Sequence, residues 1–152
     1  MADPVRFHPI TVAEVQEETD DSVSVTFDVP PELEDTFRWV PGQHVVLRAD
    51  IADEDVRRSY SIAAPVGGPL RVGIKRIAGG LYSTWATKRL RAADVLEVAP
   101  PVAEFTHQPA PQSSGHYGAI AAGSGITPVL SIVASTLEGE PESRVTLLYG
   151  NR

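Results

Sequence analysis

Six consecutive residues, Arg57-Arg58-Ser59-Tyr60-Ser61-Ile62, bring two guanidinium groups, a phenol and two hydroxyls into one stretch. That donor set suits a phosphate and a flat heterocycle together, because guanidinium forks match phosphate oxygens and phenol rings pack along aromatic ligands. The charge around it is lopsided. Between Arg57 and Arg91 lie eight of the chain's 13 Lys and Arg residues and no Asp or Glu; the rest carries five basic and 20 acidic residues. A segment of formal charge +8 thus sits inside a remainder of −15. The natural partner of such a patch is a compact anion.

Two glycine loops offer further anion sites. In Gly79-Gly80-Leu81-Tyr82-Ser83 the glycines precede a helical stretch, so unpaired first-turn amides and the positive helix end can hold phosphate, with the Ser83 hydroxyl beside them. Taken alone this is a strand-to-helix turn; the neighbouring cations favour a ligand. Gly123-Ser124-Gly125-Ile126-Thr127-Pro128 stands at a second strand-to-helix junction, where a glycine loop accepts pyrophosphate. There Thr127 can cap the helix and Pro128 suits its first turn. Pro in place of a third Gly separates this loop from the dehydrogenase dinucleotide fingerprint.

Other chemistries find no support. His8, His44, His107 and His116 lack metal-ligand spacing and read as surface or turn residues. Ser61 or Ser124 as a hydrolytic nucleophile would need a base, and there is no Gly-x-Ser-x-Gly elbow. Trp39 and Trp85 read as core anchors. With no cysteine, the chain can form no disulfide and bind no cysteine-ligated cluster. A net charge of −7 argues against general nucleic-acid binding. No apolar run approaches a membrane helix, and Met1-Ala2-Asp3-Pro4 is no signal peptide, so a cytoplasmic location without membrane contact is expected.

The elements that must carry these residues follow from periodicity. Strands are expected over Phe7–Val15, at Val23, Val25, Phe27 and Val29, and over Gln43–Arg48, Val56–Ile62, Leu70–Lys75 and Asp94–Ala99. Gln16–Asp21 reads as an acidic turn and Glu32–Thr36 as one helical turn. Leu81–Arg91 reads as a helix with Leu81, Trp85 and Leu90 inward. Short strands, frequent turns and one helix indicate a small antiparallel barrel over residues 1–110. Gln108–Gly115 has linker composition. Beyond it, the apolar runs Tyr117–Ala122 and Arg144–Tyr149 flank a helical Ile126–Leu137, which makes a βαβ unit over 111–152. A lone βαβ leaves apolar surface and sheet edges open, which favours self-association, and it reads as the start of a truncated α/β domain.

Together these motifs resemble the ferredoxin-NADP reductase superfamily. Arg58-Ser59-Tyr60-Ser61 is similar to its Arg-x-Tyr-Ser flavin motif, Gly80–Ser83 to its flavin-phosphate motif, and Gly123–Pro128 to the Gly-x-Gly-x-x-Pro loop opening its nicotinamide domain. Phe7-His8-Pro9-Ile10, Pro41-Gly42-Gln43-His44 and Leu147–Arg152 resemble the oxygenase reductase components, including those of phenylacetate and aromatic degradation. Ala103 departs from the pattern, standing where relatives usually have Gly.

The resemblance implies an all-β FAD-binding Greek-key barrel with one helix, followed by the first βαβ unit of an NAD(P)-binding domain. It implies that Arg58 pairs with the FAD pyrophosphate, that Ser59 is a cofactor-binding residue of the same motif, that Tyr60 lies along the isoalloxazine, and that Ser61 approaches the reacting flavin nitrogen. Ile74, Lys75 and Arg76 would line the cofactor, and Gly80, Leu81, Tyr82 and Ser83 would hold phosphate. Thr127 would face the flavin, while Gly123, Ser124, Gly125, Ile126 and Pro128 would receive the NAD(P)H pyrophosphate. Arg57 drops out, because strand alternation turns it from Arg58's face. The family also carries a four-cysteine ferredoxin domain with a [2Fe-2S] centre and delivers electrons to an oxygenase. The rest of the nucleotide grip is expected beyond Arg152, so this chain is expected to bind FAD without turning over NAD(P)H. The alternative class is a non-catalytic module holding a flavin or another phosphate ligand.

Overall fold

The computed structural model describes residues 5–102 and 105–151; Ala103 and Arg152 lie outside the described residues. Six strands form the first unit: β1 (His8–Thr19), β2 (Ser22–Asp28), β3 (His44–Ile51), β4 (Glu54–Ser61), β5 (Arg71–Lys75) and β6 (Val95–Val98). They pair antiparallel in the order β4-β3-β6-β1-β2-β5. An isolated Ile62–Val72 bridge and a 2.8 Å bond from the Ala63 N–H to the Arg71 carbonyl bring the ends of this sheet together. The barrel thus closes at one point, and elsewhere the outer edges of β4 and β5 have no strand partner among the described residues.

Alternation explains the core. In β2, Val23, Val25 and Phe27 are buried while Ser22, Ser24 and Thr26 are half-exposed, as period-2 patterning requires. Ile10, Val12, Val45, Leu47, Val72, Ile74 and Val98 join them, each contributing about 1.5 to 3 kcal/mol by leaving water.

Two expectations are corrected. Gln16–Thr19 is strand rather than turn: these residues pair with Ser24, Val23 and Ser22 across the hairpin, and only Asp20-Asp21 turns. Both faces of this end of β1 are wet, so no hydrophobic period marks it. In α1 (Leu81–Arg89) the inward stripe is Tyr82, Ala86 and, just past the end, Leu90, while Leu81 is 39% exposed. Trp85 packs half-buried on its flank.

The second unit runs β7 (His116–Ala122), a 3-10 turn at Gly123–Gly125, α2 (Ile126–Gly139) and β8 (Arg144–Gly150), with β7 and β8 parallel. Ile120 and Leu148 stand 81% and 62% exposed on this pair. Among the described residues no helix is long and apolar enough to cross a membrane.

Candidate functional site

A cleft of about 910 Å³ opens where the unpaired edges of β4 and β5 meet the second unit. Its barrel wall carries Arg58, Ser59, Tyr60 and Ser61 from β4, Gly73 and Lys75 from β5, and Arg76 just beyond. Gly123, Ser124 and Thr127 form the opposite wall, together with Ala122, Gly150 and Asn151. Stretches far apart in the chain therefore share one cavity.

The adjacent arginines divide as alternation requires. Arg57 Nη2 donates to the Asp55 carboxylate at 2.6 Å, and this hydrogen bond holds the Asp55 carboxyl below its usual range. Arg58 points into the cleft; its Nη1 donates to the Arg57 carbonyl, and it makes no ion pair among the described residues. Lys75 lies 3.8 Å from Asp21, and Arg76 Nη2 donates to the Asp20 carbonyl at 3.2 Å, so the β1–β2 turn steadies both cations. No carboxylate lines the cleft among the described residues.

Tyr60 is half-buried, and burial pushes its phenol up to about 12, opposed by the nearby Arg58 charge. It remains a neutral donor at physiological pH. Tyr82 lies behind it at 5.8 Å between ring centroids and packs edge-on against Trp85. Burial also raises the Tyr82 phenol, and its hydroxyl has no protein partner among the described residues.

Not every expected residue reaches the cleft. Ile74 points into the core. Gly80, Leu81, Tyr82 and Ser83 start α1, and Gly80 and Leu81 border a separate hollow of about 730 Å³ with Trp85 and Lys88. The Ser83 hydroxyl was expected to hold phosphate, but it is buried and closes its own loop. It accepts from the Ile77 N–H at 3.1 Å and donates to the Gly80 carbonyl at 3.4 Å. A Cβ on Gly80 would stand 2.6 Å from that oxygen, so glycine is required for the closure. The anion donors left at this turn are backbone amides.

Thr127 does not cap α2: its Oγ1 donates to the Ser124 carbonyl at 2.9 Å, and the cap residue is Gly125. Its methyl instead faces β5, where a Cβ on Gly73 would stand 3.1 Å away. Gly125, Ile126 and Pro128 are not among the residues that line the cleft. Sequence reasoning assigned no role to Gly73, Ala122, Gly150 or Asn151. For three of these a signal existed, since Ala122 and Gly150-Asn151 end parallel strands, where α/β folds place their ligands.

The histidines form no metal site, and no group of three or more potential ligands occurs among the described residues. His107 is not simply a surface residue. Its ring packs on Tyr117 at 5.4 Å, with Nε2 3.8 Å from the Glu140 carboxylate. Glu140, only 1% exposed, accepts from the Ala110 N–H at 3.0 Å, the Tyr117 hydroxyl at 2.9 Å and the Ser143 hydroxyl at 2.7 Å. The bond from the Ala110 amide, followed by that from Ser143, does most to hold its carboxyl below the usual range.

An antiparallel barrel whose open seam faces the strand ends of a βαβ unit across a cationic cleft is a ferredoxin reductase-like fold. The chain belongs to the oxidoreductase FAD-binding domain family, which matches residues 9–107, and residues 119–152 match the oxidoreductase NAD-binding domain. It is 48% identical over 147 residues to one of the subunits of 1,2-phenylacetyl-CoA epoxidase of Escherichia coli (strain K12), covering 96% of this chain and 41% of that protein. It is 40% identical over 148 residues to the ferredoxin reductase component of 3-ketosteroid-9-alpha-monooxygenase of Rhodococcus rhodochrous, covering 94% and 40%. The chain thus spans about two fifths of the length of these curated relatives. In fold it resembles phthalate dioxygenase reductase, with a TM-score of 0.76 at 22% identity over 96% of this chain and 44% of that one.

The residues present fit FAD. The cleft offers three cations to a pyrophosphate, a neutral phenol to a ring system, and glycines on both walls, with no carboxylate among its lining residues to repel phosphate.

Proposed function

We propose that this chain is the FAD-binding portion of an NAD(P)H-dependent oxidoreductase. The whole protein passes electrons from NAD(P)H through FAD to an iron-sulfur centre and on to an oxygenase, in the degradation of phenylacetate or another aromatic compound. One observation carries this reading: Arg58-Ser59-Tyr60-Ser61 and Gly123-Ser124 with Thr127 form opposite walls of a single cleft. The relatives named as part of an epoxidase and as a ferredoxin reductase component support the same assignment.

On this reading residues 1–110 form the flavin-binding domain and 111–152 belong to the nucleotide-binding domain. Arg58 pairs with the pyrophosphate and Ser59 borders it. Lys75 and Arg76 extend the cationic wall, and the first-turn amides at Leu81–Ser83 hold phosphate. Tyr60 supports the ring, while Ser61 and Thr127 approach the reacting edge from opposite sides. Gly123, Ser124 and the turn into α2 receive the phosphates of NAD(P)H. When bound, FAD accepts two electrons from the nicotinamide and releases them singly. The chain's own residues bind, orient and screen charge, which requires no side-chain general base.

Titrating FAD into the purified chain, with flavin fluorescence and visible absorbance as readouts, tests this. Saturable binding near one FAD per chain is expected. Absence of binding at micromolar protein would sink the proposal.

A further inference from the structure

α2 meets the barrel along one face, and the contacts recur every fourth residue, at Thr127, Ser131 and Ser135. Ser131 is wholly buried, and its Oγ donates to the Ala64 carbonyl at 2.7 Å. One turn further, Ser135 Oγ accepts from the Val66 N–H at 3.0 Å. Both partners lie in the 62–70 loop joining β4 to β5, the strands that form the barrel wall of the cleft. One turn before Ser131, the Thr127 methyl lies against Gly73 of β5.

The chemistry of this contact is directional. An apolar helix face can slide over a barrel because dispersion and hydrophobic burial have little angular preference. Ser131 and Ser135 instead address one particular carbonyl and one particular amide. A shift of α2 by half a turn, about 2.7 Å along its axis, would carry both hydroxyls out of hydrogen-bond reach of the Ala64 carbonyl and the Val66 N–H. Neither serine lines the cleft, so neither is a ligand contact.

We propose that Ser131 and Ser135 are positioning residues that lock α2 in register on the 62–70 loop. In doing so they set how far Thr127 stands from the β4 and β5 wall. The lock rests on the hydrogen bonds alone. Its consequence, the spacing between the flavin-bearing and nicotinamide-bearing walls, rests on the function proposed above.

The absence of native cysteine makes the test clean. Spin labels at Glu17→Cys on β1 and Glu142→Cys beyond α2, both exposed positions, report the distance between the two units by electron-electron dipolar spectroscopy. The parent is expected to give one narrow distribution. In Ser131→Ala/Ser135→Ala the docked-to-undocked ratio falls roughly five- to a hundredfold, seen as a broader second population. Ser135→Thr, which keeps the hydroxyl, retains the narrow distribution. So does Thr136→Val, which removes a buried hydroxyl bonded only within α2, to the Ile132 carbonyl.

An unchanged distribution in the double variant overturns the lock; if that variant does not fold, Ser135→Ala alone is read the same way. FAD affinity equal in parent and double variant supports positioning, and its loss in the double variant alone overturns it. Failure of the parent itself to bind FAD counts against the proposed function only, since the distance measurement needs no flavin.

Discussion

Tyr82 lies directly behind Tyr60, ring centroids 5.8 Å apart, so the phenol on the cleft wall is backed by a second phenol whose hydroxyl meets no hydrogen-bond partner among the described residues. The backing residue comes from α1 and the lining residue from β4, which couples the helix following Gly80 to the flavin-motif strand.

A buried hydroxyl without a partner is a cost to the fold. Tyr82→Phe is therefore expected to raise the stability of the FAD-free chain by about 1 kcal/mol. For a domain of this size that is a Tm increase of roughly 2 to 4 °C in calorimetry. A decrease of that size would show that the hydroxyl has a partner after all.

The Arg58 guanidinium enters the cleft without a carboxylate partner among the described residues. Arg58→Ala is expected to remove a charge-assisted contact of about 1.5 to 3 kcal/mol, weakening FAD roughly ten- to a hundredfold. Arg57→Ala, which breaks the Asp55 pair instead, is expected to leave FAD affinity near that of the parent. Equal effects of the two substitutions in a fluorescence titration would remove Arg58 from its assigned role.

Gly42 is buried at φ +98°, and a Cβ there would run into the Phe105 carbonyl oxygen. Gly42→Ala is expected to cost about 2 kcal/mol or more, from backbone strain plus displacement of the Phe105 segment. The corresponding fall in Tm is roughly 4 to 8 °C. A melting curve superimposable on the parent's would refute the crowding.

Glu140 ties the linker to the end of α2, and its folded carboxyl titrates below its ordinary value of 4.5 because the Ala110 amide and Ser143 hydroxyl favour the anion. A depressed carboxyl stabilises the fold above its unfolded value, and that contribution disappears as the pH falls through the folded one. Stability should thus decline below about pH 4.5. Glu140→Gln should flatten that acid limb while lowering stability at neutral pH. Urea midpoints between about pH 3 and pH 7 would show this, and an unaltered acid limb in the variant would contradict it.

Much of the fold and site was legible in the sequence because patterning and geometry agree. β2 alternates with one wet face, so Val23, Val25 and Phe27 stood out as core. Arg57 and Arg58 parted because successive strand residues must. What escaped did so for physical reasons. The end of β1 is wet on both faces and carries no period. The β3–β4 turn uses Ala52 and Asp53 at φ 54° and 65°, without the glycine that signals such a hairpin. Ser83 looked like a phosphate ligand because a hydroxyl does not reveal whether its own loop already engages it. Ser131, Ser135 and Glu140 drew no reading of their own from the sequence, because nothing local marks what they bond. Their partners, Ala64, Val66 and Ala110, lie 67, 69 and 30 positions away.

The barrel's single-bridge closure bears on how ligand and scaffold depend on each other. Edge strands carry rows of N–H and C=O groups that ordinarily seek another strand. Here β4 and β5 turn those rows toward the cleft instead of toward a neighbouring sheet. A molecule laid along that gap would act as the missing stave, joining the two ends of the sheet through its own polar atoms. Occupancy and cohesion then become linked quantities: whatever fills the seam tightens the barrel in proportion to how firmly it binds.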